Sequence, residues 1–170
     1  SSYNISMEDK NKQNLTALHG AVATYQMPAI ARELIASGQL LVLCGVTASG
    51  KNTISNYLVS HGKYEHVISH TTRKPRENHG IIEQNGKEYW FVSPEEMLRL
   101  VNEQKFIEVK AIHGDTCYGT SIESVDSVIR AGYHPVMEID VQGVLELTEA
   151  VPGLRPLFIL PPSFEVWMER

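Results

Sequence analysis

The chain has 170 residues and a formal net charge of −5 at pH 7, from 15 Lys and Arg against 20 Asp and Glu. With 42% hydrophobic and 21% charged residues, it has the composition of a globular domain that can bury a core. The acidic balance excludes a non-specific nucleic-acid binder, because phosphate binding needs clustered Lys and Arg. No apolar run could span a bilayer, and the polar start lacks a signal-peptide segment, so we expect no membrane association and a cytoplasmic location.

Residues 1–38 precede the strongest patterns in the chain. The first 26 residues are polar and then only weakly patterned, and we interpret them as an appendage. Pro28 can occupy the first turn of a helix, and apolar residues recur at helical spacing from there to Gly38. We therefore predict a short helix directly before the main part of the chain.

From Gln39 onwards, segments with strand and helix patterns alternate. Strands are predicted at residues 40–44, 65–69, 89–92, 105–114, 134–140 and 154–160. Helices are predicted at residues 51–62, 93–102, 121–131 and 144–150, and from residue 163 onwards. Residues 71–87 are predicted to form a long polar loop. The alternation favours an open α/β sheet with parallel strands, whose ligands bind beyond the carboxyl ends of the strands.

The two cysteines occur in different settings. Cys44 lies in a continuous apolar run, and Cys117 lies in a segment that resembles a turn. This spacing gives neither a disulfide framework nor a paired-cysteine metal site, and we predict two free thiols.

A glycine-rich segment with a lysine lies between the first strand and the helix that follows it, in the pattern G-x-x-x-x-G-K. In such a loop the backbone N–H groups and the helix N-terminus form an anion site, and Lys51 reaches the outer phosphates. Asn52 stands where a hydroxyl residue usually helps to hold Mg²⁺, and Thr53 points about a hundred degrees away from that position. The alternative is a glycine-rich turn with an incidental lysine. The predicted phosphate loop consists of Gly45, Val46, Thr47, Ala48, Ser49, Gly50, Lys51, Asn52 and Thr53, with Asn52 or Thr53 as weak metal ligands.

A cationic stretch follows the second predicted strand, at residues 69–76. Arg73 and Arg76 can bind a phosphate with paired donors, and Pro75 would stiffen the loop that presents them. A solvated basic loop is the alternative interpretation. The presence of a phosphate loop in the same chain favours phosphate binding.

Two acidic residues, Glu138 and Asp140, stand at the end of the apolar strand that begins near Val136. Beside a phosphate loop, such carboxylates can organise Mg²⁺ through water or pair with Lys51. The alternative for Asp140 is a helix N-cap, which would not explain Glu138.

Together these motifs resemble the guanylate kinase family. The segments that carry the resemblance are the loop at 45–53, SHTTRKPR (69–76), YWFVS (89–93), FIEV (106–109), YGT (118–120), EIDVQG (138–143) and FILPPS (158–163). The resemblance covers about residues 39–170. It implies a P-loop kinase fold, an open and mostly parallel sheet flanked by helices, with a small β-rich GMP-binding subdomain inserted at about residues 70–120. It further implies Mg²⁺-assisted transfer of the γ-phosphoryl group of ATP to GMP or dGMP.

The resemblance also implies roles for individual residues. For catalysis it implies Lys51, Arg73 and Asp140, the last acting on the metal through water. For GMP binding it implies Ser69, Arg73, Arg76, Tyr89, Glu108, Tyr118, Thr120, Glu138 and Asp140. Glu108 suits guanine, because the N1 and 2-amino groups of guanine donate hydrogen bonds that adenine lacks.

The chain departs from the family pattern in three places. Asn52 replaces the hydroxyl residue, and the segments before Tyr89 and Tyr118 are longer than usual. The sequence stops where the family continues into an arginine-bearing lid, a last strand and a helix, so we expect a C-terminally incomplete kinase of low activity. The alternative function is a non-catalytic guanylate-kinase-like module that binds a phosphorylated protein; the retained glycines and Lys51 favour the enzyme. The sequence does not indicate an oligomeric state.

Overall fold

The computed structural model describes residues 6–46, 48–112 and 114–169, with two compact units in the chain. Unit 1 consists of residues 1–28 and 68–122, and unit 2 consists of residues 29–67 and 123–170. The helices are α1 (Met7–Ala23), α2 (Ala29–Ala36), α3 (Lys51–His61), α4 (Pro94–Asn102), α5 (Ile122–Arg130), α6 (Val141–Ala150) and α7 (Phe164–Met168). The strands are β1 (Leu41–Cys44), β2 (Tyr64–His66), β3 (His70–Thr71), β4 (Glu77–Asn78), β5 (Ile81–Ile82), β6 (Trp90–Phe91), β7 (Phe106–Ile112), β8 (Thr116–Ser121), β9 (His134–Ile139) and β10 (Leu157–Phe158).

Unit 2 contains a parallel sheet of four strands in the order β10-β1-β9-β2. Leu43 and Cys44 in the central strand β1 are fully buried, and Val136 in β9 is almost so. The continuous apolar run predicts this burial, because a parallel strand with both faces covered has no polar side. Parallel strands alternating with helices confirm the predicted α/β organisation in this unit.

Unit 1 contains a mixed sheet of four strands in the order β6-β3-β8-β7. β8 pairs antiparallel with β7 and β3, whereas β3 and β6 are parallel. A separate ribbon, β4–β5, turns at His79 and Gly80, which both have positive φ. Ser93 begins α4 by accepting a hydrogen bond from the Glu96 N–H at 3.1 Å, and Pro94 follows it, as the sequence predicts.

The core of unit 1 includes a residue from the N-terminal segment. Leu18 of α1 is fully buried and packs in a cluster with residues of α4, β7 and β8. The buried members of this cluster are Leu18, Met97, Val101, Phe106, Val109 and Cys117. The sequence suggests that the first 26 residues are an appendage. In the structure they contain helix α1, which packs in the core of unit 1.

Two local predictions are wrong. Cys117 does not lie in a turn, because it is a fully buried residue of β8. The polar stretch 71–87 is not a continuous loop, because it contains the β4–β5 ribbon. Both cysteines are free, as predicted, and burial raises the pKa of each thiol above its usual value. Among the described residues, none of the helices is both long and apolar enough to cross a membrane.

Candidate nucleotide site

The phosphate loop of unit 2 connects β1 to α3 through a tightly packed turn. Ala48 and Gly50 have positive φ values of 61° and 103°, which belong to the left-handed region. A Cβ on Gly45 would lie 2.5 Å from the carbonyl oxygen of Ile159 and 2.6 Å from Ser49 Oγ, so a larger residue would displace the loop. The loop therefore needs both glycines. The predicted contribution of Thr47 falls outside the described residues.

Lys51 begins α3 and folds its side chain back over the loop. Its Nζ donates to the carbonyl oxygens of Gly45 at 2.5 Å and Val46 at 3.0 Å. An ammonium group has three N–H donors, and described residues accept two of them, so the third is available to an anion beside the loop as far as the described part of the chain shows. The first N–H groups of α3 have no partner within the helix, and the helix dipole adds positive potential at the same end.

The two acidic residues at the end of β9, Glu138 within the strand and Asp140 directly after it, have identifiable partners. Glu138 accepts a hydrogen bond from Ser55 Oγ, a buried hydroxyl on α3. Asp140 caps α6, since its Oδ1 accepts from the Gly143 N–H at 2.7 Å. The N-cap that was the alternative for Asp140 is therefore present. Both carboxylates line an open pocket of about 530 Å³ together with Gly45 and Lys51.

The few oxygen ligands that this pocket offers suit a metal ion whose remaining ligands are water and phosphate oxygens. Within the described part of the chain, no group of three or more His, Cys, Asp or Glu residues could hold a metal ion. Asp140 Oδ2 makes no hydrogen bond to a described residue, and the side chains of Asn52 and Thr53 are exposed. Mg²⁺ often takes only one or two protein carboxylates, with water and phosphate oxygens completing the shell. These residues fit such an ion.

Three predicted guanine contacts of unit 1 form a row across its sheet. Glu108 of β7 lies opposite Thr120 of β8, and Thr120 Oγ1 donates to Glu108 Oε1 at 2.8 Å. Ser69 Oγ is 3.4 Å from Thr120 Oγ1, at the end of β3 that continues the same register. Residues that face each other on adjacent strands point to the same side of a sheet. The structure therefore brings Ser69, Thr120 and Glu108 together.

The predicted phosphate contacts of unit 1 cluster around Arg73. Its Nε donates to the Tyr118 hydroxyl at 3.2 Å, and its Cζ lies 5.2 Å from the centre of the Tyr89 ring. Tyr89 and Tyr118 contact each other edge to face, with ring centres 5.7 Å apart. The side chain of Arg76 is exposed, and its backbone N–H donates to Glu83 Oε2 at 2.8 Å.

Glu83 is a member of this cluster that the sequence analysis missed. Its two carboxylate oxygens accept from Arg73 Nη1 at 2.7 Å and Nη2 at 3.0 Å, which is a two-point ion pair. The hydrogen bonds from Arg73, and then the one from the Arg76 N–H, lower the pKa of Glu83 to about 2. The same carboxylate raises the pKa of Arg73. Arg73 is therefore a fixed cation whose position depends on Glu83.

The predicted site residues thus fall into two sets, one in each unit. Lys51, Glu138 and Asp140 line one pocket in unit 2 with the phosphate loop. Ser69, Arg73, Tyr89, Glu108, Tyr118 and Thr120 form the row and the cluster in unit 1. Ser55 and Glu83 were not predicted, and neither has a sequence signal of its own, because a single Ser in a helix or Glu in a polar loop is common.

Comparison with known proteins gives a consistent result. The family description "Guanylate kinase" matches residues 37–170. The chain is 40% identical over 134 residues to a guanylate kinase from Neisseria meningitidis, covering 78% of this chain and 63% of that protein. A guanylate kinase from Geobacter sulfurreducens is 38% identical over 134 residues, with 78% and 64% covered. The chain thus spans slightly less than two thirds of the length of these relatives.

A solved structure agrees with the predicted fold. The crystal structure of guanylate kinase from Anaplasma phagocytophilum superposes with a TM-score of 0.58 at 30% sequence identity, covering 77% of this chain and 64% of that one. This likeness and the parallel sheet flanked by helices confirm the α/β fold of a P-loop kinase. The family match covers most of the chain. The chain belongs to the guanylate kinase family.

Proposed function

We propose that this chain carries the chemistry of a guanylate kinase, the transfer of the γ-phosphoryl group of ATP to GMP, giving ADP and GDP, with dGMP as a second acceptor. The observation that carries the proposal is the row of Ser69, Thr120 and Glu108 on the sheet of unit 1. A carboxylate beside two hydroxyl groups suits a base that presents both donors and acceptors. The relatives that bear the name guanylate kinase support the same assignment.

The acceptor preference follows from hydrogen-bond matching at Glu108. Guanine presents two donors, the N1–H and the 2-amino group, on the edge where a carboxylate can accept both. Adenine has no donor at these positions, so it would displace water from the carboxylate without giving it a hydrogen bond in return. Sites built on such hydrogen bonds discriminate strongly against ligands that cannot complete them. We therefore expect GMP to be strongly preferred over AMP.

The cations of both units serve the phosphates in this proposal. Lys51 and the N–H groups at the start of α3 bind the phosphates of ATP, while Arg73 and Arg76, with Tyr89 and Tyr118, bind the phosphate of GMP. Phosphoryl transfer depends mainly on positioning and neutralisation of charge, which such groups supply. Asp140 would help to hold Mg²⁺ through water, and Asn52 or Thr53 would add a weak ligand; the bound ion supplies further neutralisation of phosphate charge. Glu138 would orient the acceptor nucleotide or these waters.

The cellular location, the absence of further partners and the alternative function belong to the same proposal. A cytoplasmic location, and the absence of nucleic-acid or membrane partners, stay predictions from composition. The alternative function is a non-catalytic module that binds a phosphorylated protein. The phosphate loop does not support it, because the loop retains Gly45, Gly50 and Lys51, and Lys51 Nζ donates to the Gly45 carbonyl oxygen.

The test is an ADP-release assay with ATP, Mg²⁺ and GMP, dGMP, AMP or no acceptor. We expect release with GMP and dGMP, and loss of at least about a hundredfold in Lys51→Met, because that variant removes the ammonium group from the phosphates. Lys63→Met is the matched control, since Lys63 is an exposed lysine just after α3. Equal rates with AMP and GMP, or wild-type turnover in a folded Lys51→Met, would contradict the proposal.

A further inference from the structure

Tyr25 lies before the part of the chain that matches the family, which begins at residue 37. Its hydroxyl group nevertheless contacts strand β7, 81 residues further along the chain. The hydroxyl donates to the carbonyl oxygen of Phe106 at 2.5 Å and accepts from the N–H of the same residue at 3.0 Å. A phenol has one donor and can accept as well, so this one group satisfies both backbone groups of Phe106.

Phe106 is the residue at which the pairing of β7 with β8 changes register. Phe106 lies opposite Ser121, whereas Glu108 lies opposite Thr120, so β7 has one residue more than β8 between these pairs. Such a bulge leaves backbone groups without partners in the strand ladder. β7 is an outer strand among the described strands of this sheet, and the Ile122 N–H donates to the Lys105 carbonyl oxygen at 2.9 Å, so the backbone groups of the next residue, Phe106, point away from β8. The Tyr25 hydroxyl binds these outward-facing groups beside the extra residue of the bulge.

The bulge determines which way Glu108 points. Without an extra residue, positions 106 and 108 would share one face of the sheet, because side chains alternate along a strand. In the structure Phe106 is fully buried, in edge contact with His70, while Glu108 reaches the Thr120 hydroxyl in the row of guanine contacts. A slip of one residue at this point would turn Glu108 away from the row.

The contact is well placed to hold the bulge. Tyr25 packs at the edge of the same cluster that contains Leu18 and Phe106, and its backbone N–H donates to the Val22 carbonyl oxygen near the end of α1 at 3.2 Å. Burial raises the pKa of Tyr25, and the hydroxyl therefore keeps its proton and remains a donor at neutral pH.

We propose that Tyr25 is a positioning residue for guanine recognition, which holds the β7 bulge so that Glu108 faces the acceptor base. The inference rests on the proposed function, because it assigns Glu108 to guanine. It gives the segment before the family match a role in substrate selection. Tyr25 itself lies outside residues 37–170, which match the family.

The test compares binding of GMP and IMP, which lacks the 2-amino group, by titration calorimetry with the whole 170-residue chain. In Tyr25→Phe, which keeps the ring and loses only the hydroxyl, we expect the dissociation constant for GMP to rise about fivefold and that for IMP to rise only about twofold, because IMP keeps the N1–H donor to Glu108 but lacks the 2-amino donor. Glu108→Gln should weaken GMP binding more strongly, and adding Tyr25→Phe to it should change little further. Tyr133→Phe, at an exposed tyrosine of unit 2, is the control.

Hydrogen exchange of the Phe106 amide gives a readout that does not depend on nucleotide. We expect faster exchange at Phe106 in Tyr25→Phe and no change in Tyr133→Phe, because the former variant loses the acceptor of that N–H. Equal loss of GMP and IMP binding would indicate a merely structural role and overturn the inference, as would unchanged exchange and unchanged GMP binding. A different outcome separates this inference from the proposed function. If the wild-type chain fails to bind GMP, both the proposed function and the role of Tyr25 in guanine recognition are overturned. If exchange at Phe106 is still faster in Tyr25→Phe in that case, Tyr25 supports the bulge but has no role in guanine recognition.

Discussion

At the scale of single residues, Arg73 has most of its donors already in use. A guanidinium group has five N–H donors. Nε donates to Tyr118, Nη1 to Glu83 and to the carbonyl oxygen of Lys74, and Nη2 to Glu83. A phosphate that binds Arg73 through two parallel hydrogen bonds must therefore replace one of these partners. Glu83 is the partner with the same charge sign as phosphate, so GMP binding and the Arg73–Glu83 pair are expected to compete.

The ion pair of Glu83 predicts an acid-sensitive contribution to stability. The pKa of Glu83 is about 2, against 4.5 for an ordinary glutamate, mainly because of its hydrogen bonds from Arg73. The unfolded chain therefore takes up this proton more readily than the folded chain. The stabilisation is present above pH 4.5 and is lost progressively as the pH falls towards about 2. Glu83→Gln should lower the free energy of unfolding at pH 7, and its difference from wild type should shrink across this window.

Urea unfolding at pH 7, 4.5 and 3 measures this difference. Glu33→Gln is the control, because Glu33 is an exposed glutamate of α2 that forms no ion pair within the described part of the chain. A difference between Glu83→Gln and wild type that stays constant over the three pH values would contradict the assignment of the ion pair.

The sequence predicts the residues of a motif better than it predicts which side chains pair with one another in the fold. The glycines and Lys51 of the phosphate loop could be found because each is required at a fixed spacing by one turn. Glu83 could not be found, because its pairing with Arg73 depends on how a polar stretch of ten residues folds back. Asp140 shows the opposite case, since its capping of α6 was visible in the sequence as an alternative to metal binding.

At the scale of secondary structure, helix α1 packs against the core of unit 1 although its sequence shows no strong helical periodicity of apolar residues. Only Leu18 of this helix is fully buried, with Ala21 and Val22 partly buried against the same cluster, so a few apolar residues near its end fix the helix there. A helix with one buried position shows little periodicity, which explains why the sequence analysis assigned no helix there.

Truncation of Leu18 should therefore destabilise unit 1. We expect Leu18→Ala to lower the free energy of unfolding by about 2–5 kcal/mol, because it leaves a cavity among packed side chains. Met7→Ala on the same helix should cost less than about 0.5 kcal/mol, since Met7 is 83% exposed. Urea unfolding followed by circular dichroism measures both. Equal stabilities of the two variants would show that α1 does not belong to the core.

The elements of unit 2 were more predictable than those of unit 1. β1, α3 and β9 have long apolar or periodic patterns, and the structure has them where the sequence places them. β8 was missed because its sequence, TCYGTS, contains few apolar residues, although four of its six positions are buried. Its burial comes from neighbours on both sides in the sheet, which is a tertiary effect that a short window of sequence does not contain.

At the scale of the whole molecule, the negative net charge is compatible with cationic side chains assigned to phosphates within each unit. The chain carries a net charge of −5, yet the residues assigned to phosphate binding include Lys51, Arg73 and Arg76. Local clustering rather than total charge decides whether an anion binds, because screening limits charge interactions to about 10 Å. The composition therefore predicts no non-specific nucleic-acid binding, and this prediction is compatible with nucleotide binding.

An apolar stretch in unit 2 lies open to solvent around the edge strand β10. The exposed side chains in it are Leu157 at 51%, Phe158 at 55%, Leu160 at 77% and Phe164 at 64%. Among the described strands, β10 pairs only with β1. A strand edge with unpaired backbone groups and apolar side chains favours association with other chains, which proteins usually prevent with charged residues at such edges.

This edge predicts self-association of the chain that depends on charge. We expect sedimentation velocity to show concentration-dependent association, which strengthens as the pH approaches about 5.8, where the net charge vanishes. Phe158→Lys should reduce the association, because a lysine on an edge strand opposes pairing with a second strand. Gln13→Lys, an exposed position on α1, changes the net charge equally and should reduce it less. Equal effects of the two variants would assign the association to net charge rather than to β10.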